Sequence, residues 1–139
     1  MKNDWIYDIE TYANAFTIAL EHAQSGVRCA WEVSEWVNES SQIIRMMDYL
    51  KATGGRMVGF NNLGFDYPVL HLLYRTRTAD AATLYAKAQA IIASQELNRF
   101  QHQVYPSDRV VEQIDLFKIH HFDNMARSTS LKLLEFNMR

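Results

Sequence analysis

Residues 59–70 read GFNNLGFDYPVL, and this stretch decides the predicted fold. Gly59 and Gly64 flank an apolar-polar turn, and Asp66 precedes a predicted helix because Pro68 suits the first turn of a helix. An acid at the end of a strand, beside a helix N-terminus, stands where open α/β sheets place their ligands. The stretch therefore predicts a ligand site at a strand end.

A second acidic segment lies about fifty residues earlier, where residues 7–11 read YDIET. Asp8 and Glu10 are two positions apart on a predicted strand, so both carboxylates point to the same side. On its own this pattern is more typical of a solvated strand end with surface charges. Two acids on a core strand cost much free energy unless a cation compensates them. Taken together with Asp66, the pattern predicts the beginning of a site for divalent metal ions.

The hydrophobic spacing predicts an alternation of strands and helices. Aromatic and β-branched runs predict strands at residues 4–9, 15–20, 27–33, 57–60 and 110–117. Amphipathic spacing and caps predict helices from Ser40 or Ser41 to Gly54, from Pro68 onwards, from about Asp80 to Gln95, and from Ser128 or Thr129 to Phe136. This order predicts an α/β fold around a mixed sheet.

Length and composition predict one domain over residues 1–139, because the chain can bury a single ordinary core. The formal net charge is −2, so nucleic-acid binding would have to be local or metal-assisted. The single cysteine, Cys29, excludes an internal disulfide and a cysteine zinc cage. No run approaches the ~18 apolar residues of a membrane span. We expect a cytoplasmic protein with no membrane partner.

Together the two acidic segments resemble the first and second motifs of the DEDD (DnaQ-like) 3′-to-5′ exonuclease superfamily, most closely the proofreading domain of family B DNA polymerases. The first motif of that family reads Asp-Ile-Glu-Thr, which residues 8–11 match. The second usually reads Gly-Tyr-Asn-Ile-x-x-Phe-Asp-x-Pro-x-Leu. Its positions are matched here by Gly59, Asn61, Phe65, Asp66, Pro68 and Leu70, with Phe60 in place of Tyr. Residues 114–117 and 130–134 resemble the next strand and helix of the family more weakly.

The resemblance implies a ribonuclease H-like fold and two-metal phosphodiester hydrolysis at a DNA 3′ end. Two Mg²⁺ or Mn²⁺ ions roughly 4 Å apart would stabilise the attacking hydroxide and the leaving 3′ oxygen. By the same resemblance, Asp8 would bridge both ions and Glu10 would hold the ion that activates water. Asp66 would support the ion at the leaving group.

The resemblance also implies how substrate and partners would bind. Thr11, Asn61 and Phe65 would contact the terminal nucleotide, with Asn61 hydrogen bonding and Phe65 stacking against a base. The partners would be single-stranded DNA or DNA 3′ ends, together with a polymerase domain or another replication partner. By the same resemblance, we expect a proofreading nuclease of the phage or bacterial type.

The family's third motif, Tyr-x-x-x-Asp or His-x-x-x-x-Asp, supplies a fourth carboxylate and a general base, and it follows the last predicted helix. The sequence reaches Arg139 before that point. We therefore expect a domain that is incomplete at its C-terminus or naturally shortened, with weak or no activity unless a partner completes the site. His120 and His121 are possible metal ligands or bases, although such a pair is more often exposed. Asp115 either points at the site or is a solvated strand-end acid.

A second function fits the same pattern. Without the fourth carboxylate, the chain would be a catalytically silent exonuclease-like module that binds nucleic acid or a protein partner through the old cleft. The C-terminal stretch is locally basic and would serve a DNA backbone or form an ordinary solvated helix face. Its cationic residues are Lys118, Arg127, Lys132 and Arg139.

Overall fold

Strands and helices alternate along the chain in the predicted order. The computed structural model describes residues 3–95, 97–98 and 101–118, so the predicted helix at 128–136, His120 and His121 lie outside the described residues. The elements are β1 (Asp4–Tyr12), β2 (Ala15–His22), β3 (Arg28–Ser34), α1 (Ser40–Thr53), β4 (Arg56–Gly59), α2 (Asp66–Thr76), α3 (Ala81–Ser94), a 3₁₀ turn (Pro106–Asp108) and β5 (Glu112–Asp115).

The five strands form one mixed sheet in the order β3-β2-β1-β4-β5. The meander β1-β2-β3 is antiparallel, whereas β4 pairs in parallel with both β1 and β5. The crossovers that parallel pairing requires are α1 and the α2-α3 pair. The predicted α/β fold around a mixed sheet flanked by helices is confirmed, and it is compatible with a ribonuclease H-like fold.

One face of the sheet carries the hydrophobic core. Tyr7 and Ile9 of β1 are buried in the same cluster as Met47 of α1, Leu70 of α2 and Leu84 of α3. Because side chains alternate along a strand, the intervening positions of β1 project to the other face. The helices thus pack on the inward face, and the acidic positions of β1 lie on the face that the core does not occupy.

Several element boundaries differ from the prediction by one to three residues, among them the starts of β5 and α2. The last strand is shorter than residues 110–117, because the N–H of Val110 donates to the Tyr67 hydroxyl at 2.8 Å instead of joining the strand ladder. Helix α2 begins at Asp66, two residues before Pro68, which lies in its first turn as predicted. Among the described residues, no helix is both long enough and apolar enough to cross a membrane.

Gly59, the last residue of β4, offers a test of the packing behind the site. A Cβ atom at this position would lie 2.9 Å from both Cβ and Cγ of the fully buried Asn62. Because Asn62 has no room to move away, Gly59→Ala should lower the free energy of unfolding by about 1–3 kcal/mol. Urea denaturation measures the loss.

The control is Gly26→Ala in the β2–β3 turn, where nothing lies within 4 Å of the added methyl group. Gly26→Ala should lower the free energy of unfolding by about 1 kcal/mol, because the positive φ of 75° is the only feature of this position that disfavours alanine. A Gly59→Ala variant that is more stable than the Gly26→Ala variant would contradict the packing argument.

Candidate active site

Asp66 completes the sheet at the point where β4 ends. The pairing of β1 with β4 stops at Ile6 and Val58, although β1 continues to Tyr12. Beyond that point the Asp66 carboxylate takes the place of the missing strand, since its Oδ2 accepts a hydrogen bond from the N–H of Ile9 at 3.1 Å. A buried backbone N–H needs such an acceptor. Asp66 is therefore held at the edge of β1 by the backbone itself.

The same arrangement brings Asp66 against Asp8. Asp66 is only 7 % exposed, and its carboxyl group is hydrogen-bonded to that of Asp8. Burial, and then the charge of Asp8, raise the pKa of Asp66 from 3.8 to about 8, against the opposing effect of the N–H donors of Ile9 and Asp66. Two carboxyl groups can hydrogen-bond to each other only if one carries a proton. At neutral pH and without a cation, Asp66 holds that proton.

Glu10 lies on the same face of β1 as Asp8 but does not join the pair. Its side chain is exposed, and Oε2 accepts a hydrogen bond from the Tyr12 hydroxyl at 3.0 Å. This contact raises the pKa of Tyr12, first through the hydrogen bond and then through the charge of Glu10. Among the described residues, no three His, Cys, Asp or Glu side chains lie close enough together to hold a metal ion. Two of the three predicted acids therefore meet, and the third is engaged elsewhere.

The turn between β4 and α2 presents Asn61 to solvent. Asn61 adopts a left-handed conformation with φ of 56°, and its carbonyl accepts hydrogen bonds from the N–H groups of Gly64 at 3.2 Å and Phe65 at 3.0 Å. A Cβ on Gly64 would lie 2.7 Å from Oδ1 of Asn61, so a larger residue there would displace the Asn61 side chain. Phe65 is half-buried against the core and Thr11 is half-buried near the end of β1.

Asp115 is neither a solvated acid nor a free carboxylate beside the aspartate pair. It is buried at the end of β5, and Oδ1 accepts the N–H groups of Asn61 at 2.8 Å and Phe117 at 3.0 Å. Oδ2 accepts the N–H of Leu63 at 3.1 Å. Of the two alternatives for Asp115, the solvated strand-end acid is wrong, because the turn needs an acceptor for its partly buried amides. Asp115 positions the turn that carries Asn61.

A buried polar network beneath the turn was not predicted. The hydroxyl of Tyr7 donates to Oε1 of Gln113 at 2.7 Å, and Nδ2 of Asn62 donates to the same oxygen at 2.9 Å. Burial, and then the charge of Asp66, raise the pKa of Tyr7 well above its usual value, so it stays a neutral donor. The available signal was Gln113, a polar residue at an inward-facing position of a short strand.

The aspartate pair fits a hard divalent cation in part. Carboxylate oxygens are the ligands that Mg²⁺ and Mn²⁺ prefer, and a cation would offset both the burial and the charge of Asp8 that raise the pKa of Asp66. Glu10 stands two residues from Asp8 on the same strand face, so it would become a third ligand by giving up its bond to Tyr12. Among the described residues, two carboxyl groups of the kind that such an ion binds are thus brought together.

Comparisons with known proteins add little to this geometry. No protein-family model matches the sequence, and no curated protein matches it. A solved structure of the family B DNA polymerase from the hyperthermophilic archaeon Pyrobaculum calidifontis is similar, with 18% identity and a TM-score of 0.43. The similarity covers 86% of this chain and 16% of the polymerase chain. The functional assignment rests on the site residues instead.

The raised pKa of Asp66 predicts a stability that falls as the pH rises. A carboxyl group with a higher pKa in the folded than in the unfolded chain stabilises the fold fully below pH of about 4 and loses that contribution as pH rises to about 8. The slope from one proton reaches no more than about 1.4 kcal/mol per pH unit. Urea denaturation at pH 4.5 to 8.5 without divalent ions should show this decline.

Asp66→Asn should abolish the decline, because the amide does not titrate and still offers an acceptor to Ile9. The matched control is Asp48→Asn, which changes an acid of α1 that accepts a hydrogen bond from Tyr74. The same slope in wild type and Asp66→Asn would show that Asp66 does not hold a proton at neutral pH.

Asp115 predicts a local effect on the turn. Asp115→Ala removes the acceptor of three backbone N–H groups, and burying such groups without partners costs about 1–3 kcal/mol each. Amide hydrogen exchange at Asn61 and Leu63 should become much faster, and the free energy of unfolding should fall by more than about 2 kcal/mol. Glu35→Ala, at an exposed position, should change neither quantity. Unchanged exchange at Asn61 would contradict the positioning role of Asp115.

Proposed function

We propose that the chain is a metal-dependent 3′-to-5′ exonuclease domain that acts on DNA. The observation that supports this proposal most strongly is the pairing of the buried Asp66 with Asp8, in which one carboxyl must stay protonated unless a cation neutralises it. These two acids belong to the segments that resemble the first and second exonuclease motifs. Protein cores do not keep two like charges together without a compensating group.

The metal would be held by Asp8 and Asp66, with Glu10 as the further ligand that a second Mg²⁺ or Mn²⁺ requires. Bound there, divalent ions would supply Lewis-acid stabilisation of the charge that develops on the phosphodiester oxygens. Asp66 would lose its proton as the ion binds, because the cation offsets both its burial and the charge of Asp8. Metal affinity would therefore rise with pH up to about 8, the pKa of Asp66 in the metal-free protein.

The turn beside the pair would position the substrate. Asn61 is exposed, and its backbone is fixed by Asp115, so its amide side chain is free to hydrogen-bond a terminal nucleotide. Phe65 stands at the N-cap of α2, immediately before Asp66, and its ring would pack against a base. Thr11 would contact the same nucleotide from the end of β1. A rigid turn suits this task because misplacement by an ångström costs catalytic rate.

A catalytically silent, exonuclease-like module that binds nucleic acid or a protein partner is the second candidate. It is favoured by the hydrogen bond that engages Glu10 with Tyr12 and by the lack of a three-ligand group among the described residues. In such a module the aspartate pair would keep its shared proton. Melting without divalent ions would then match melting with them.

Metal binding and cleavage separate the two candidates. With Mn²⁺ at a hundred times its dissociation constant, the free energy of unfolding should rise by about 2.7 kcal/mol, seen as a higher melting temperature. Asp8→Asn should raise the stability of the metal-free protein and remove the response. A single-stranded DNA labelled at its 5′ end should be shortened stepwise but slowly from its 3′ end in the presence of Mn²⁺, because a fourth carboxylate and a general base are missing from the predicted motifs, and it should remain intact with EDTA.

Glu35→Gln, which removes an exposed acid away from the pair, is the control and should behave as wild type. An oligonucleotide with a phosphorothioate at its last linkage tests the polarity of cleavage. A Mn²⁺ response through Asp8 without any cleavage would support the metal site and contradict the exonuclease activity. If wild type and Asp8→Asn melt identically with and without Mn²⁺, the metal site and the exonuclease proposal are both wrong.

A further inference from the structure

Five basic side chains of α2, α3 and the segment before β5 are linked by hydrogen bonds or act electrostatically on the same neighbours. We call them the basic cluster: His71 and Arg75 on α2, Lys87 on α3, and His102 and Arg109 on the segment that follows. Arg75 lies nine residues beyond Asp66 on α2, which is about 13 to 14 Å at the helical rise of about 1.5 Å per residue. The cluster is therefore separate from the aspartate pair.

Hydrogen bonds within α2 fix the protonation of His71. Nε of Arg75 donates to Nε2 of His71 at 3.3 Å, and Nδ1 of His71 lies 3.0 Å from the Tyr67 hydroxyl. A nitrogen that accepts cannot carry a proton, so the proton of the neutral ring is on Nδ1 and is directed to Tyr67. Burial, and then the charge of Arg75, lower the pKa of His71, which agrees with a neutral ring.

Lys87 and His102 form the second half of the cluster. Nζ of Lys87 lies 3.0 Å from Nδ1 of His102, so the ammonium group donates and the proton of His102 is on Nε2. Burial lowers the pKa of Lys87, and burial together with the charge of Lys87 lowers the pKa of His102. The Nε2–H of His102 and two further N–H groups of Lys87 remain as donors.

Among the described residues, the cluster has no carboxylate partner. The ion pairs among the described residues join Arg28 to Glu21 and Arg56 to Asp4, and neither pair includes a residue of the basic cluster. Asp108 is the acid that acts on His71, but Arg75 reaches its backbone carbonyl at 3.4 Å, not its carboxylate.

Arg109 adds an unused donor at the same place. Its Nε is buried and has no hydrogen-bond partner among the described residues. Its charge lowers the pKa of Tyr67, as does that of Arg75, so both guanidinium groups lie in the neighbourhood of that hydroxyl, although burial raises this pKa overall. A buried guanidinium nitrogen without an acceptor is costly, and an anion would supply the acceptor.

We propose that the basic cluster binds a phosphate group, carried by a nucleic-acid strand or by a free nucleotide. A phosphate offers several anionic oxygens to the guanidinium groups, to the ammonium group of Lys87 and to the Nε2–H of His102. Its charge would offset the mutual repulsion of Arg75, Lys87 and Arg109. This inference does not depend on the exonuclease proposal, since it uses none of the acids of that site.

The first test follows the histidines by NMR, with EDTA present so that no metal contributes. Inorganic phosphate, a nucleoside monophosphate and a single-stranded oligonucleotide are titrated in turn. Binding should shift the ring signals of His71 and His102 and raise their titration midpoints, because a nearby anion favours the protonated ring. The signals of His22, which hydrogen-bonds Ser25 in the β2–β3 turn, should stay unchanged.

The second test compares charge variants with matched controls by fluorescence anisotropy of a labelled oligonucleotide. Lys87→Gln and Arg75→Gln should each weaken binding about tenfold, as expected for a charged hydrogen bond, and reduce the slope of log affinity against log salt by about 0.7. Lys51→Gln and Arg45→Gln, at exposed positions of α1, should have little effect.

The outcomes assign the source of the phosphate or overturn the site. Oligonucleotide binding that is much tighter than nucleotide binding and is lost in the cluster variants assigns a nucleic-acid strand. Equal affinity for nucleotide and oligonucleotide assigns a free nucleotide. Unshifted His71 and His102 signals with every probe, or equal losses in the cluster and control variants, would overturn the proposal whatever the result of the exonuclease assays.

Discussion

The hydrogen bond from the N–H of Ile9 to the Asp66 carboxyl group is the contact on which the site depends. It forms because β1 continues after its pairing with β4 has ended, so its backbone needs another acceptor. A helix that begins at Asp66 meets this need and buries the carboxyl beside Asp8. A protonated carboxyl still accepts from an N–H, so the fold tolerates the pair without a cation. The requirement of the backbone thus places two acids where a cation would bind.

Most of the fold could be predicted from the sequence because its periodicities are local. The spacing of Ile43, Met47 and Leu50 specified α1, and all three are buried. The boundaries that differ are set by distant partners. The N–H of Val110 donates to the hydroxyl of Tyr67, which lies 43 residues earlier in the chain, so Val110 does not join β5. The sequence around residue 110 alone cannot predict this contact. Such side-chain contacts with the backbone decide where a strand ends.

The candidate site likewise has features that the sequence predicts and features that it does not. The two-residue period of a strand places Asp8 and Glu10 on one face, and the position of Asp66 at a helix start follows from its own segment. The partners of those acids are a different matter. The Tyr12 hydroxyl donates to Glu10 because of the rotamers that these side chains adopt. The Asp115 carboxyl group accepts the N–H of Asn61, which lies 54 residues earlier in the chain. Sequence pattern gives the face of a strand, but not which of several nearby donors a carboxylate will meet.

Helix α2 separates two charge environments in a chain whose net charge is only −2. Asp66 in its first turn and Arg75 in its last turn both suit the helix dipole, so the helix favours an acidic beginning and a basic end. A strand of nucleic acid has the complementary chemistry. At the acidic end of α2, a cation would bind a phosphodiester, and at the basic end, N–H donors would bind other phosphates of the strand. Were both proposals to hold, α2 would set the distance between the reacting linkage and an anchoring phosphate. A weakly acidic protein would then need no global basic field, because the attraction is confined to the basic cluster.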